Sequence, residues 1–381
     1  MKLPSRTLRG LGLLALASVI VIAWIGWQMA RRDGKPAGSR VPSPAAVGPT
    51  NGVLLVPVAD KSGRPAEPMV PAPVNQPSRN VAPVANVAPA GFPEIPNFDE
   101  QVLAAQSELA RRGISPGPLD GVMGSQTRAA LRAFQQREGL AGAGTLDEAA
   151  KMRLRTDAPL YTDYVVTAED LARLLPLGPT WLAKSEQQRL DFETILELVA
   201  ERTWSNPKLV RALNPGVDWS RVGPGTNLKV VAITALEAQG RAAKLRISIG
   251  ARTLQAFDAD DKLLAHFPCS IAARVEKRPV GEELRVIVVA PNPNYTFDPE
   301  VFPESAEGRE LGRKLILQPG PNNPVGAAWI GLDKPGYGIH GTPRPEDVGR
   351  TESHGCFRLA NWNAELLSKL VTVGTPVFVD P

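Results

Sequence analysis

Two of the three histidines and one of the only two cysteines of this 381-residue chain fall in a single stretch, Tyr337 to Leu359. A thiol attacks carbon as its thiolate. An imidazole that takes the thiol proton creates that nucleophile and can later protonate a departing amine. His340 and Cys356 are therefore the candidate base and nucleophile of an acyl transfer. Gly355, just before the cysteine, carries no side chain to block an approaching carbonyl. Two plainer readings compete. Cys356 could be an inert thiol, since free cysteines are often core residues. A zinc site from His340, His354 and Cys356 would lack a fourth ligand and has an unusual His-x-Cys spacing. The acyl-transfer reading needs neither metal nor cofactor.

The flanking pattern predicts what positions these groups. Tyr337 to His340 reads as the end of a short strand, after the apolar Ala328-Trp329-Ile330 and the breaks at Gly331, Gly336 and Gly338. Thr342 to Thr351, with Pro343, Pro345 and Gly349, reads as a loop. Residues 361 to 371 have helical spacing, with Asn361 as a cap. Cys356 is then expected on the turn that enters this helix, where free backbone N–H groups favour a thiolate or an oxyanion. His266, between Ala265 and Phe267, reads as a strand residue of the core or edge, and Cys269 as a small buried hydrophobe. Arg358 suits an ion pair as well as a substrate contact.

The stretch His340-Gly341-Thr342, followed after a short loop by Ser353-His354-Gly355-Cys356-Phe357-Arg358-Leu359, resembles the active-site signature of the L,D-transpeptidases, cysteine enzymes that cross-link bacterial peptidoglycan. The resemblance implies that Cys356 attacks the donor peptide and that His340 is its base, oriented by the Gly341 carbonyl. It implies an oxyanion site at the N–H groups of Gly355 and Cys356, with Ser353, His354, Arg358 and Tyr337 lining the substrate site.

The formal charge of +4 is small for this length, and no Lys/Arg stripe with interleaved aromatics suggests nucleic acid. Two cysteines exclude a disulfide framework. Gly10 to Ala30 is an uncharged run of 21 residues, long enough for a hydrocarbon core of roughly 30 Å. Lys2, Arg6 and Arg9 precede it, Arg31 and Arg32 follow it, and Trp24 and Trp27 suit an interfacial belt. An uncleaved anchor (residues 1–33) is expected, with the remainder in the periplasm or cell-wall space; the alternative is a cleaved signal peptide, for which Ala15-Leu16-Ala17 lies too early and Met29-Ala30 is a poor site. From Gly34 to Phe98, 14 of 65 residues are proline, a composition that reads as an extended, disordered tether.

Residues 99–156 return to helical periodicity. Asp120-Gly121-x-x-Gly124, Thr127, Phe134-Gln135 and Gly139-Leu140 resemble the three-helix peptidoglycan-binding domain appended to cell-wall enzymes, with the second helix capped at or near Ser125. Residues 161–232 are similar, in the Leu213-Asn214-Pro215 and Pro224-Gly225-Thr226 elements, to the second half of a LysM carbohydrate-binding module. Some 25 extra residues interrupt the first half, and a packing platform is an equal reading. From residue 241 strands dominate: 245–249 and 253–257 around a turn, then 263–271 and 284–289. Residues 291–312 read as an inserted loop lying over the site as a lid. The expected architecture is multidomain: a transmembrane helix and Pro-rich linker, a small all-α peptidoglycan-binding domain, an α/β LysM-like segment, and a mainly-β L,D-transpeptidase catalytic domain over 241–381. The activity that the resemblance implies is formation of 3–3 cross-links between stem peptides. Water or a protein amine as acceptor, and a non-catalytic peptidoglycan-binding scaffold, are the alternatives.

Overall fold

Alternate burial along Lys244–Ser248 (β3) and Thr253–Phe257 (β4) puts Leu245, Ile247, Leu254 and Ala256 on one face, the period of two that sheets require. These strands belong to an eight-stranded mixed sheet in the computed structural model, which describes residues 95–233, 236–302, 304–353 and 355–381. The other strands are Leu263–Pro268 (β5), Glu283–Pro291 (β6), Ala328–Leu332 (β9), Gly338–His340 (β10), Phe357–Arg358 (β11) and Pro376–Asp380 (β12). Their spatial order is β11-β10-β9-β6-β12-β3-β4-β5. The β10/β11 and β12/β3 pairs are parallel. Helix Asn361–Leu370 packs Leu367 and Leu370 into the same core as Ile330, Ile339 and Phe357.

Three helices precede the sheet: Glu100–Arg111 (α1), Ser125–Arg137 (α2) and Glu148–Leu154 (α3). They enclose Leu109, Leu131, Phe134 and Leu154. The Asp120–Thr127 loop is locked by one buried side chain. Gln106 Oε1 accepts from the N–H groups of Asp120 (3.1 Å) and Gly121 (2.8 Å), and its Nε2 donates to Asp120 Oδ1 (2.9 Å) and Thr127 Oγ1 (3.0 Å). Ser125 is the first helical residue rather than the cap; Gly124 holds the cap position without a side-chain bond.

Between helices and sheet lie Tyr161–Val165 (β1), Ala168–Ala172 (α4), Trp181–Ser185 (α5), Ile195–Arg202 (α6), Pro207–Leu213 (α7) and Asn227–Val231 (β2). β1 and β2 pair antiparallel, with Tyr161 opposite Val231, over a core that includes Leu198, Val199, Val210 and Leu228. The residues that interrupt the carbohydrate-module pattern have a partner. The 291–312 stretch is not a bare loop: it contains Tyr295–Phe297 (β7) and Ala306–Leu311 (α8), and β7 pairs with Leu315–Leu317 (β8). Trp181 stacks on Phe297 at 4.5 Å, and Glu307 accepts from the N–H groups of Trp181 (2.9 Å) and Leu182 (2.8 Å).

Polar contacts join the three segments within one compact unit. Ser115 N–H donates to the His266 carbonyl (2.8 Å), and Asn363 Nδ2 donates to Ser115 Oγ (3.0 Å). His266 is thus a buried joint residue of β5, held neutral by a pKa lowered to about 4 through burial. Among the described residues no helix is long and apolar enough to cross a membrane. The Gly10–Ala30 run, the tether up to residue 94 and His354 lie outside the described residues.

Candidate active site

The two proposed reactive groups are set by strand register. Ile339 pairs with Phe357 and His340 with Arg358 across the parallel β10/β11 ladder. Ile339 and Phe357 are 0% and 1% exposed and face the core. Alternation therefore sends His340, Arg358 and the adjoining Cys356 to the opposite face, with the cysteine one diagonal step from the histidine. Slipping either strand by one residue would expose a core side chain worth about 1.5–3 kcal/mol and turn a reactive group inward. This revises the sequence expectation. Cys356 leads into the two-residue strand Phe357–Arg358 rather than directly into the helix, which begins at Asn361 as its spacing indicates (α9, Asn361–Leu370).

His340 is buried, and its Nδ1 lies 2.6 Å from the Gly341 carbonyl. A carbonyl only accepts, so Nδ1 carries the proton and Nε2 keeps its lone pair. The ring also stacks on Trp329 of β9, with centroids 5.7 Å apart. Cys356 Sγ donates to the Gly336 carbonyl at 3.4 Å.

The other predicted residues divide by role. Ser353 is buried and ties the turn: its Oγ donates to the Cys356 carbonyl (2.5 Å) and accepts from Gly355 N–H (3.3 Å). That second bond is at the outer limit, so it holds the Gly355 N–H only weakly. A Cβ added at Gly355 would meet nothing within 4 Å, so the approach on that side is open. Arg358 donates to Thr351 Oγ1 and the Glu352 carbonyl rather than to a carboxylate. It lines a cavity of about 170 Å³ with Thr342, Arg344 and Asp347. Tyr337 donates its hydroxyl to the Lys277 carbonyl (3.0 Å).

Comparison with known proteins bears on this geometry. Residues 242–379 match the family model described as the L,D-transpeptidase catalytic domain. The chain carries an L,D-transpeptidase catalytic domain. Residues 98–154 match a putative peptidoglycan binding domain, so a helical module of that kind precedes the mainly-β transpeptidase domain. The chain is similar to the putative L,D-transpeptidase YkuD of Bacillus licheniformis, 26% identical over 189 residues, which span 50% of this chain and 94% of that protein. It is 43% identical over 79 residues to the putative L,D-transpeptidase YqjB of Bacillus subtilis, covering 19% of this chain and 45% of the relative. Among solved structures, the L,D-transpeptidase from Mycobacterium smegmatis aligns at 20% identity over 41% of this chain and 64% of that one, with a TM-score of 0.29.

Electrostatics in the transpeptidase domain favour uncharged partners. Burial pushes the Cys356 thiol up to about 11, opposed by the Gly338 N–H and the Arg358 charge. Burial lowers His340 to about 4; the Gly341 carbonyl opposes the shift and the Arg358 charge adds to it. A raised thiol pKa leaves about one part in 10⁴ as thiolate at pH 7, and a lowered imidazole pKa leaves the base free down to about pH 5. Alkylation of Cys356 by iodoacetamide, followed by peptide mass mapping, should therefore be slow at pH 7 and rise about tenfold per pH unit through pH 10. A rate already level at pH 8 would contradict this.

Several groups near the site escape sequence reasoning. Asn361 looks like a helix cap, but Ala360 takes that position without a side-chain bond. The Asn361 side chain instead accepts from the N–H groups of Ala327 (3.1 Å) and Thr342 (3.0 Å). Tyr295 of β7 lies within electrostatic reach of the Cys356 thiol, and burial, with the cysteine second, raises its pKa. The reading of 291–312 as a loop over the site does not single out Tyr295, whose place is set by the pairing of β7 with β8.

Proposed function

We propose that this protein is a peptidoglycan L,D-transpeptidase that works through a Cys356 thioester with His340 as general base. The observation that carries the reading is the shared face of His340 and Cys356 on adjoining strands, with Nδ1 tied to Gly341 and Nε2 left to receive a proton. In the first half-reaction Nε2 takes the thiol proton as Sγ attacks the carbonyl of the third stem residue. The tetrahedral oxyanion faces the Gly355 and Cys356 N–H groups, and the bond to D-Ala breaks as the imidazolium returns its proton to the leaving amine. In the second, a side-chain amine of another stem loses a proton to His340 and attacks the thioester, which releases the thiol and forms a 3–3 cross-link.

Partners and location follow the same reading. The helical module would bind wall polymer, and a cleft of about 500 Å³ between α1 and α3, lined by Glu108, Arg111, Leu146 and Lys151, is suited to a chain with charged and apolar groups. The Gly10–Ala30 run would anchor the chain with its catalytic domain outside the cytoplasm. For residues 161–232 the packing against Asn361 and β7 supports the platform reading over glycan binding. The acceptor is tested by incubating the chain with a disaccharide-tetrapeptide and separating the products. A cross-linked dimer with free D-Ala is expected. Tripeptide alone would indicate water as acceptor, and no D-Ala would favour the scaffold.

A further inference from the structure

Asn361 links the active-site strand to a helix that lies outside the catalytic fold. Its Oδ1 accepts from Thr342 and Ala327, and its Nδ2 donates to the Pro321 carbonyl (3.1 Å) and to both carboxylate oxygens of Glu201 (3.0 and 3.2 Å). Glu201 stands near the end of α6, 160 residues away in sequence. The Ala327 and Thr342 N–H groups require an acceptor, so the amide turns its NH₂ group to Glu201, whose carboxyl oxygens can accept from it in either protonation state. There is little slack: a Cβ on Gly341 would lie 2.2 Å from Asn361 Oδ1. The peptide joining Gly341 to Thr342 contributes both the N–H held by Asn361 and the carbonyl that holds His340 Nδ1.

We propose that Glu201 is a positioning residue for the transpeptidase reaction: by fixing Asn361 it fixes the 341–342 peptide and hence the imidazole of His340. The accessory segment is then a working part of the active site. This rests on His340 acting as base. Glu201 lines a cavity of about 260 Å³ with Arg173, Arg202, Trp362 and Glu365. Burial pushes its pKa up to about 8; Asn361 and Arg173 oppose the shift, and Glu365 and Glu197 add to it.

The test uses the full chain and measures D-Ala release from a disaccharide-tetrapeptide between pH 5 and 9. Glu201→Asp keeps the carboxyl but falls short of Asn361, and a base displaced by about 1 Å should lower kcat about tenfold to a hundredfold with KM within about twofold. Glu201→Gln keeps an acceptor at full reach and should recover to within about threefold, without the ionisation near pH 8. Glu365→Gln, on the same cavity, should stay within about twofold of wild type. A Glu201→Asp kcat within twofold of wild type would overturn the proposal. So would a loss in Glu365→Gln as large, or losses that track thermal midpoint in every Glu201 variant. His340→Asn separates the two readings. If it is inactive while Glu201→Asp is unimpaired, only the positioning role fails; if it is active, the base assignment itself fails.

Discussion

Cys356→Ala is expected to abolish D-Ala release, by at least about four orders of magnitude, while the protein stays folded and keeps its affinity for peptidoglycan. The thiol is the only atom the substitution removes from the chemistry, and no neighbouring group can take over the covalent step. Cys356 is partly exposed, so its loss leaves little cavity. The other cysteine makes the contrast. Cys269 is 0% exposed, and burial raises its pKa to about 12. Cys269→Ala should cost about 1 kcal/mol of stability with kcat unchanged. Parallel assays of D-Ala release and thermal unfolding on both variants check this. Undiminished release by Cys356→Ala would remove the nucleophile from the account.

The second large effect is expected at Gly341. An added methyl would meet Asn361 Oδ1 at 2.2 Å and the Ala327 nitrogen at 3.1 Å, both held by other bonds, so the strand end must move. Gly341→Ala should therefore lose about a hundredfold in kcat through misdirection of His340, and about 1–3 kcal/mol of stability through overpacking. Steady-state kinetics alongside denaturant unfolding separate the two. A variant destabilised as expected but with wild-type kcat would show that the 341 carbonyl does not orient the base.

The proposed pair can be picked out from the sequence because its determinants are local. His340 and Cys356 stand in one stretch with glycines beside them, and the alternating apolar residues of β3, β4 and β6 report a sheet directly. The first two helices are legible for the same reason, since Leu109, Leu131 and Phe134 recur at helical spacing, while the third, capped by Asp147, is implied only by the resemblance to a three-helix module. What the sequence hides is long-range. Asn361 has the composition of a cap and the position of one, and only the fold reveals that its amide is needed by Thr342 and Glu201. Strand β11 is two residues long, too short for alternation to register, so Cys356 reads as part of the turn that leads to the helix. The 291–312 stretch reads as a loop because its apolar residues, such as Tyr295 and Phe297, follow no regular period and are buried in a small cluster shared with Trp181 and Leu182 of α5. The extra residues around α5 and that excursion are two halves of one contact, which neither half announces alone.

Intact-protein mass spectrometry of the full chain incubated with a disaccharide-tetrapeptide, followed by peptide mapping, tests the central claim most directly. The account predicts a transient adduct of the donor less D-Ala, confined to the Cys356 peptide and absent from Cys356→Ala and His340→Asn. Free D-Ala with no adduct at Cys356, or an adduct that forms equally well without His340, would contradict it.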